Sequence, residues 1–220
     1  ADVAISYHSR EAPALETVAE IRAIGRRAVC VPCDVANGRQ VDELIAITRA
    51  ELGPIDLLAH CGAISNLATH EQMTFEVWSQ MIDANLNGAF RVLFAVKDEM
   101  IRRRFGRIVM LSSVAALRPR ANQMHYAAAK AGVIALTRCS SDAFAPHNVR
   151  VNCVAPGLID TEMARVLSEE TISSIKQLTP MGRLGRPEEI AEMICFLLSE
   201  RSSFTTGQTL VASGGRVTLP

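Results

Sequence analysis

Arg107-Ile-Val-Met-Leu-Ser112 is a short apolar run, and a long amphipathic stretch, residues 125–145, separates it from the next such run, Val149-Arg-Val-Asn-Cys-Val154. A run, a helix-length segment and a second run read as strand, helix and strand of a mostly parallel sheet. The same alternation extends outward in both directions. Strands are expected at 3–7, 28–33, 55–61, 107–112, 149–154 and 209–211, each apolar or β-branched and followed by turn residues. Helices are expected at 13–24, 41–52, 75–83 running into 86–103, 125–145 and 187–198. Gly25 and Gly53 close the first two, where the chain needs a residue tolerant of positive φ, and Pro187-Glu-Glu is a favourable helix start. The predicted class is α/β, a doubly wound parallel sheet in three α/β/α layers, with residues 1–220 forming one domain that no linker or repeat divides.

Composition narrows the partner. The 220 residues are 49% hydrophobic and 21% charged, the balance of an ordinary globular protein. Lys and Arg number 23 against 23 Asp and Glu, so there is no basic excess to attract nucleic acid or an anionic membrane, and a small-molecule partner is expected. No apolar run approaches the roughly 20 residues that cross a bilayer. The chain opens Ala1-Asp2-Val3 with no leader in view, a start that suggests a missing beginning. Six cysteines, at 30, 33, 61, 139, 153 and 195, are too scattered for a disulfide scaffold and point to reduced thiols in a cytoplasmic protein. Cys30 and Cys33 form a C-x-x-C inside a predicted strand, where they face opposite sides; with no second pair and no ligand spacing among five histidines, no metal site is expected.

One stretch breaks the rhythm. Residues 156–185 contain no predicted strand, only a polar amphipathic segment, 168–177, between Pro156-Gly157 and Pro180-Met-Gly182. An excursion of that length after a strand end, where open α/β sheets bind ligands, reads as a lid over a substrate pocket.

Tyr126-Ala-Ala-Ala-Lys130 carries the chemistry. On a helix, i and i+4 share a face, so the phenol and the ammonium lie close. A free phenol has a pKa of about 10 and a neighbouring cation favours its ionised form, so Tyr126 is a candidate general acid or base. Ser113 lies thirteen residues earlier, just past a predicted strand end, where its hydroxyl can reach the same crevice and hydrogen-bond a substrate oxygen. Its alternative role is a helix cap. Asn85, in Met81-Ile-Asp-Ala-Asn-Leu-Asn-Gly88, sits in a helical pattern where Asn has poor propensity, and a kink that frees a carbonyl for water is expected there.

Together these residues resemble the short-chain dehydrogenase/reductase family. The resemblance runs through Cys33-Asp34-Val35, Asn85-Leu-Asn-Gly88, the 106–113 stretch, Tyr126 to Lys130, Arg150-Val-Asn-Cys-Val-Ala-Pro-Gly157 and Gly207-Gln-Thr-Leu210. Within the family the chain looks most like the 3-oxoacyl-(acyl carrier protein) reductases, through Tyr126-Ala-Ala-Ala-Lys-Ala-Gly132 and Pro180-Met-Gly-Arg-Leu-Gly-Arg-Pro-Glu-Glu189, while sugar and alcohol dehydrogenases are also similar. The resemblance implies a Rossmann-like fold and hydride transfer between a nicotinamide cofactor and a carbonyl or secondary alcohol, with a carrier-protein- or CoA-linked acyl group among the substrates it suggests. In that scheme Ser113 orients the oxygen, Tyr126 exchanges its proton, Lys130 lowers the tyrosine pKa and holds the nicotinamide ribose, and Asn85 completes a water-linked relay to Lys130. Pro156, Gly157, Ile159 and Thr161 match the segment that meets the nicotinamide carboxamide, Asp34 and Val35 match residues at the adenine, and Cys61 and Gly62 stand where the chain passes close to cofactor. A homotetramer is the assembly the family implies.

The cofactor can also be argued from charge. An NAD enzyme usually places an acid after its second strand to accept from the ribose 2'-hydroxyl. Here Ser6-Tyr-His-Ser9-Arg10 offers donors and a guanidinium instead, so Ser9 and Arg10 are candidates to bind a 2'-phosphate and NADP is expected over NAD.

Two departures from the family stand out. Its Asn-Asn-Ala-Gly appears as His60-Cys61-Gly62-Ala63, and no glycine-rich loop follows a strand anywhere, so the first predicted strand matches the family's second and the pyrophosphate-binding βα unit is absent from the sequence given. The competing readings are therefore a cofactor-free fragment or pseudoenzyme acting as an assembly subunit, and a ligand-binding α/β module without catalysis. The intact Asn85, Ser113, Tyr126 and Lys130 favour the enzyme.

Overall fold

The computed structural model describes residues 1–165 and 167–218. Six parallel strands appear in the predicted order, with bounds shifted by a few residues: β1 Val3–Tyr7, β2 Ala28–Pro32, β3 Leu57–His60, β4 Gly106–Leu111, β5 Val149–Pro156 and β6 Thr209–Ala212. The helices between them are α1 Glu11–Ala23, α2 Gly38–Leu52, α3 Phe75–Ile82, α4 Gly88–Arg103, α5 Met124–Phe144, α6 Glu162–Arg165, α7 Glu169–Gln177 and α8 Pro187–Leu198. Gly25 (φ 78°) and Gly53 (φ 93°) turn the chain out of α1 and α2 as expected.

β4 and β5 form the centre of a four-stranded sheet ordered β3-β4-β5-β6, and seven of the eight residues of β5 are buried. That explains the near-continuous apolar runs, since a strand covered on both faces has no solvent side to alternate with. Successive side chains serve different layers. Ile108, Met110, Val151 and Cys153 pack with Leu93, Val96 and Met100 of α4 and Val133 of α5, while Val109 and Val154 pack with Ile190 and Leu197 of α8. The three-layer α/β/α arrangement is thus built by period-two alternation within two strands.

β1 and β2 form a separate two-stranded sheet. On the side of α2 and α4 the core is continuous, because Leu58 of β3 packs both with Val31, Cys33, Val41 and Leu44 and with the main cluster. On the other face of β3, Leu57 is 39% exposed and Ala59 and Cys61 are exposed too. Among the described residues no strand pairs with the free edges of β1 and β3, in keeping with the expected absence of a strand between them.

Two predicted boundaries are corrected by local chemistry. The strand predicted to reach Cys61 stops at His60, and the one predicted to stop at Val154 continues to Pro156, whose neighbour Gly157 donates from its backbone to the Ala212 carbonyl at 2.8 Å. Cys30 is half-buried, Cys33 is buried, and no group of metal-ligating side chains occurs among the described residues. No described helix is long and apolar enough to cross a membrane.

Candidate active site

The polar side chains singled out by spacing meet at the carboxyl ends of β3, β4 and β5. α5 is seated so that Tyr126 packs against Met81 and Ala115, and Lys130 lies one turn further along, only 2% exposed. Two features hold that helix in place. Ser112, at the tip of β4, donates its hydroxyl to the Lys130 carbonyl at 2.7 Å, and Gly132 admits the segment opposite, since a Cβ there would fall 2.7 Å from Leu86 Cδ2. Ser112 was missed from sequence: only the doublet Ser112-Ser113 hinted that two adjacent hydroxyls, alternating sides at a strand end, do different jobs.

The segment opposite is the expected irregularity. Asp83–Asn87 is a π-helical stretch between α3 and α4, with Asn85 fully buried. Such single-turn insertions widen the helix and are frequent at functional sites. The Asn85 amide donates to the carbonyls of Ile64 at 3.0 Å and Met81 at 3.1 Å, and its Oδ1 has no partner among the described residues. Nearby His60, 5% exposed, also has an unpartnered Nε2; burial, then the Lys130 charge, pushes its pKa down to about 4, so its imidazole is neutral at pH 7.

Electrostatics revise one expectation. The Tyr126 pKa is raised by burial, an effect only partly countered by the Ser113 hydroxyl, and the lysine charge is not what governs it. The reason lies in the dry surroundings: burial also pulls Lys130 down to about 8. The Lys130 Nζ lies 5.8 Å from the centre of the Tyr126 ring and donates to the Leu111 carbonyl at 2.9 Å. At neutral pH the pair is thus an un-ionised phenol beside an ammonium. Ser113 meets its reading as a cap, accepting from the Ala115 backbone N–H at 3.1 Å, and its hydroxyl also lies close enough to favour ionised Tyr126.

The residues assigned to cofactor fall in two groups. At one end of the cleft, Gly157 is followed by a segment pinned to Gly185: Ile159 bridges to it, Asp160 donates to its carbonyl at 2.9 Å, and the Thr161 hydroxyl turns back to the Ile159 carbonyl at 3.4 Å. This bridge and α6 add structure to a stretch predicted to hold one amphipathic segment; that segment is α7, capped by Ser168. Val166, within the 156–185 region, lies outside the described residues. At the other end Val35 approaches Gly62, where a Cβ would meet Val35 Cγ1 at 3.8 Å, and Gly88, where it would collide at 2.6 Å. Asp34 is committed to its own turn, its carboxylate accepting from Ala36 N–H at 2.9 Å. Cys61 and Ser9 are exposed, and Arg10 forms an ion pair with Glu162 on α6, a partner that a separation of 152 residues hid from sequence reading.

At the Lys130 end the donor set suits a nicotinamide cofactor. The buried Lys130 ammonium spends one N–H on Leu111, and its other two have no acceptor among the described residues, which suits a pair of ribose hydroxyls. No glycine loop opening onto a helix N-terminus lies between β1 and β3 among the described residues, so the pyrophosphate position has no counterpart there.

Comparison with known proteins gives a consistent result. Residues 1–216 match a family model described as enoyl-(acyl carrier protein) reductase. A 3-oxoacyl-(acyl-carrier-protein) reductase of Synechocystis is 38% identical over 216 residues, covering 98% of this chain and 86% of the relative. The solved structure of a 3-oxoacyl-(acyl-carrier protein) reductase from Brucella melitensis superposes with a TM-score of 0.90 at 33% identity, covering 99% of this chain and 82% of that one. A putative gluconate dehydrogenase from Agrobacterium tumefaciens superposes at 0.94 with 27% identity, covering 100% and 87%.

Proposed function

We propose, since this chain belongs to the short-chain dehydrogenase/reductase family, that its oxidoreductase chemistry is the NADP-dependent interconversion of a 3-oxoacyl thioester and the 3-hydroxy form. The observation that carries the reading is the convergence of Ser113, Tyr126 and a buried, under-used Lys130 ammonium at one strand-end crevice. The 3-oxoacyl substrate is drawn from two of the relatives above.

When bound, the nicotinamide supplies or accepts the hydride, which no side chain can. The protein manages the oxygen and its proton. Ser113 Oγ donates to the substrate oxygen and sets its position. Tyr126, kept un-ionised by burial, passes its hydroxyl proton to that oxygen during reduction and takes it back during oxidation. Lys130 would hold the nicotinamide ribose and stabilise the tyrosinate left after each reduction; Asn85, on the π-helical turn with an unpartnered buried Oδ1, would complete a water-linked proton relay to it. Residues 156–185 act as the lid, and Thr161, Ile159, Gly157 and Pro156 border the nicotinamide end, with Val35, Asp34, Gly62 and Cys61 at the adenine end. Cytoplasmic residence, read from six scattered cysteines, and a tetramer, read from the family resemblance, belong to the same proposal.

NADP preference rests on Arg10, whose guanidinium is engaged by Glu162 and would exchange that carboxylate for a 2'-phosphate. The test is a panel of 3-oxoacyl thioesters, sugars and simple ketones with NADPH and NADH on the protein and its Arg10→Ala variant. A charge-assisted contact to phosphate contributes roughly 1.5–3 kcal/mol. The variant is therefore expected to lose about 10-fold or more of the NADPH-over-NADH ratio in kcat/KM. An unaltered ratio removes Arg10 from the phosphate site, and turnover of sugars alone removes the thioester assignment.

A further inference from the structure

Three arginines that the mechanism does not use converge beside the catalytic loop. Arg118 and Arg120 flank Pro119 between Ser113 and α5, and Arg216 follows the Gly214-Gly215 turn after β6. Arg120 and Arg216 line a cavity with Thr171, Ser174, Ile175 and Leu178, contributed by α7 and its C-terminal cap, and with Glu170. Arg118 Nη1 donates to the Arg216 carbonyl at 3.4 Å, and Arg216 Nη1 to the Ile175 carbonyl at 3.5 Å. Both bonds are long, and most of the guanidinium N–H groups remain without an acceptor among the described residues.

None of the three arginines is in an ion pair among the described residues, although ten pairs of Lys or Arg with a carboxylate occur there. Glu170, the one carboxylate lining the cavity, lies beyond ion-pair distance of each and offsets at most one of three positive charges. Arg216 is half-buried, and burial followed by the charges of Arg120 and Arg118 lowers its pKa. Like charges gathered in a concavity repel one another and raise the local concentration of anions.

The position is informative. The loop that holds Arg118 and Arg120 starts at Ser113, which caps the turn Val114–Ala116, and runs through Ala121–Gln123 into the helix bearing Tyr126. α7, the opposite wall, belongs to the lid. The cavity therefore lies where the loop from Ser113, the proposed lid and the turn after β6 meet.

We propose that this cavity binds an oxyanion carried by the substrate away from its reacting carbonyl. Carboxylate or phosphate oxygens would be gripped by the guanidinium forks of Arg120 and Arg216, with hydroxyl bonds from Thr171 and Ser174 and Arg118 adding charge at the rim. Planar forks match both groups bidentately, while Ile175 and Leu178 cover the adjoining chain. The inference rests on the oxidoreductase reading and narrows its substrate to acidic ones.

Three substrates with the same reacting 3-oxo thioester separate the sources of charge: a neutral N-acetylcysteamine thioester, the same thioester with a terminal carboxylate on its acyl chain, and the coenzyme A thioester with its phosphates. In Arg120→Gln/Arg216→Gln, and less in Arg118→Gln, the charged-to-neutral ratio of kcat/KM is expected to fall at least about 10-fold, chiefly through KM. Loss confined to the carboxylate or to the coenzyme A substrate identifies the oxyanion. An equal fold-change on all three substrates, or no change in the ratio, overturns the proposal. If the wild type turns over none of them, the thioester reading fails instead, and calorimetry with inorganic phosphate decides the site: heat lost in the double variant upholds it, and equal heats refute it.

Discussion

Tyr126→Phe is expected to lower kcat for carbonyl reduction at least about 100-fold while leaving cofactor affinity nearly unchanged. The substitution removes one hydroxyl and keeps the ring contacts with Met81 and Ala115, so the fold has little reason to respond. Because burial raises the Tyr126 pKa, the phenol holds its proton throughout the neutral range and is a ready acid for reduction. In the oxidative direction the same group must first lose that proton, so the wild-type rate should climb with pH until Lys130 begins to lose its own proton at about 8. Steady-state kinetics in both directions, with cofactor titration by fluorescence, check the prediction. Near-wild-type turnover in the variant would remove Tyr126 from the reaction.

Lys130→Met should cost activity at least as heavily and, unlike Tyr126→Phe, weaken cofactor as well, because in the proposed mechanism one ammonium serves both ribose and tyrosinate. Its effect on stability has the opposite tendency. The Lys130 pKa falls from 10.5 to about 8 on folding. The unfolded chain therefore binds this proton more tightly, and the group's penalty is fully present below pH about 8 and relieved as pH rises from there towards 10.5. At neutral pH the penalty is about 3 kcal/mol. Methionine removes it, and leaves the Leu111 carbonyl without its partner at a cost of about 1–3 kcal/mol. The melting temperature of Lys130→Met should thus equal or exceed that of the wild type while turnover collapses. A fall in melting temperature with cofactor affinity intact would mark Lys130 as a structural residue. In the wild type, kcat/KM for reduction should decline above pH about 8 as the ammonium is lost.

Both predictions depend on a crevice that local sequence could only outline. Strand and helix order was legible because β5 is covered on two faces and α5 on one, conditions that impose continuous or periodic apolar runs. Tyr126 and Lys130 were legible as a pair because a helix turn relates them, and Asn85 because its residue type conflicts with a helix interior. Their electrostatics were not. Spacing suggested a lysine that lowers the tyrosine pKa, whereas enclosure by α3, β4 and the π-helical turn makes desolvation the larger effect for both.

By itself, then, the order of amino acids determined the element types, the parallel alternation and the placing of Tyr126 and Lys130 on one helix face, since each follows from periods of two to four residues along the chain. Tertiary structure alone decided the division into β1-β2 and β3-β4-β5-β6, the pairing of Arg10 with Glu162 and the meeting of Arg118 and Arg120 with Arg216. Those contacts join residues about 100 or more positions apart, or, for the sheets, leave an edge unpaired. Only the packing of whole layers sets such distances, because charges and backbone edges carry no periodic signal of the partner they will meet.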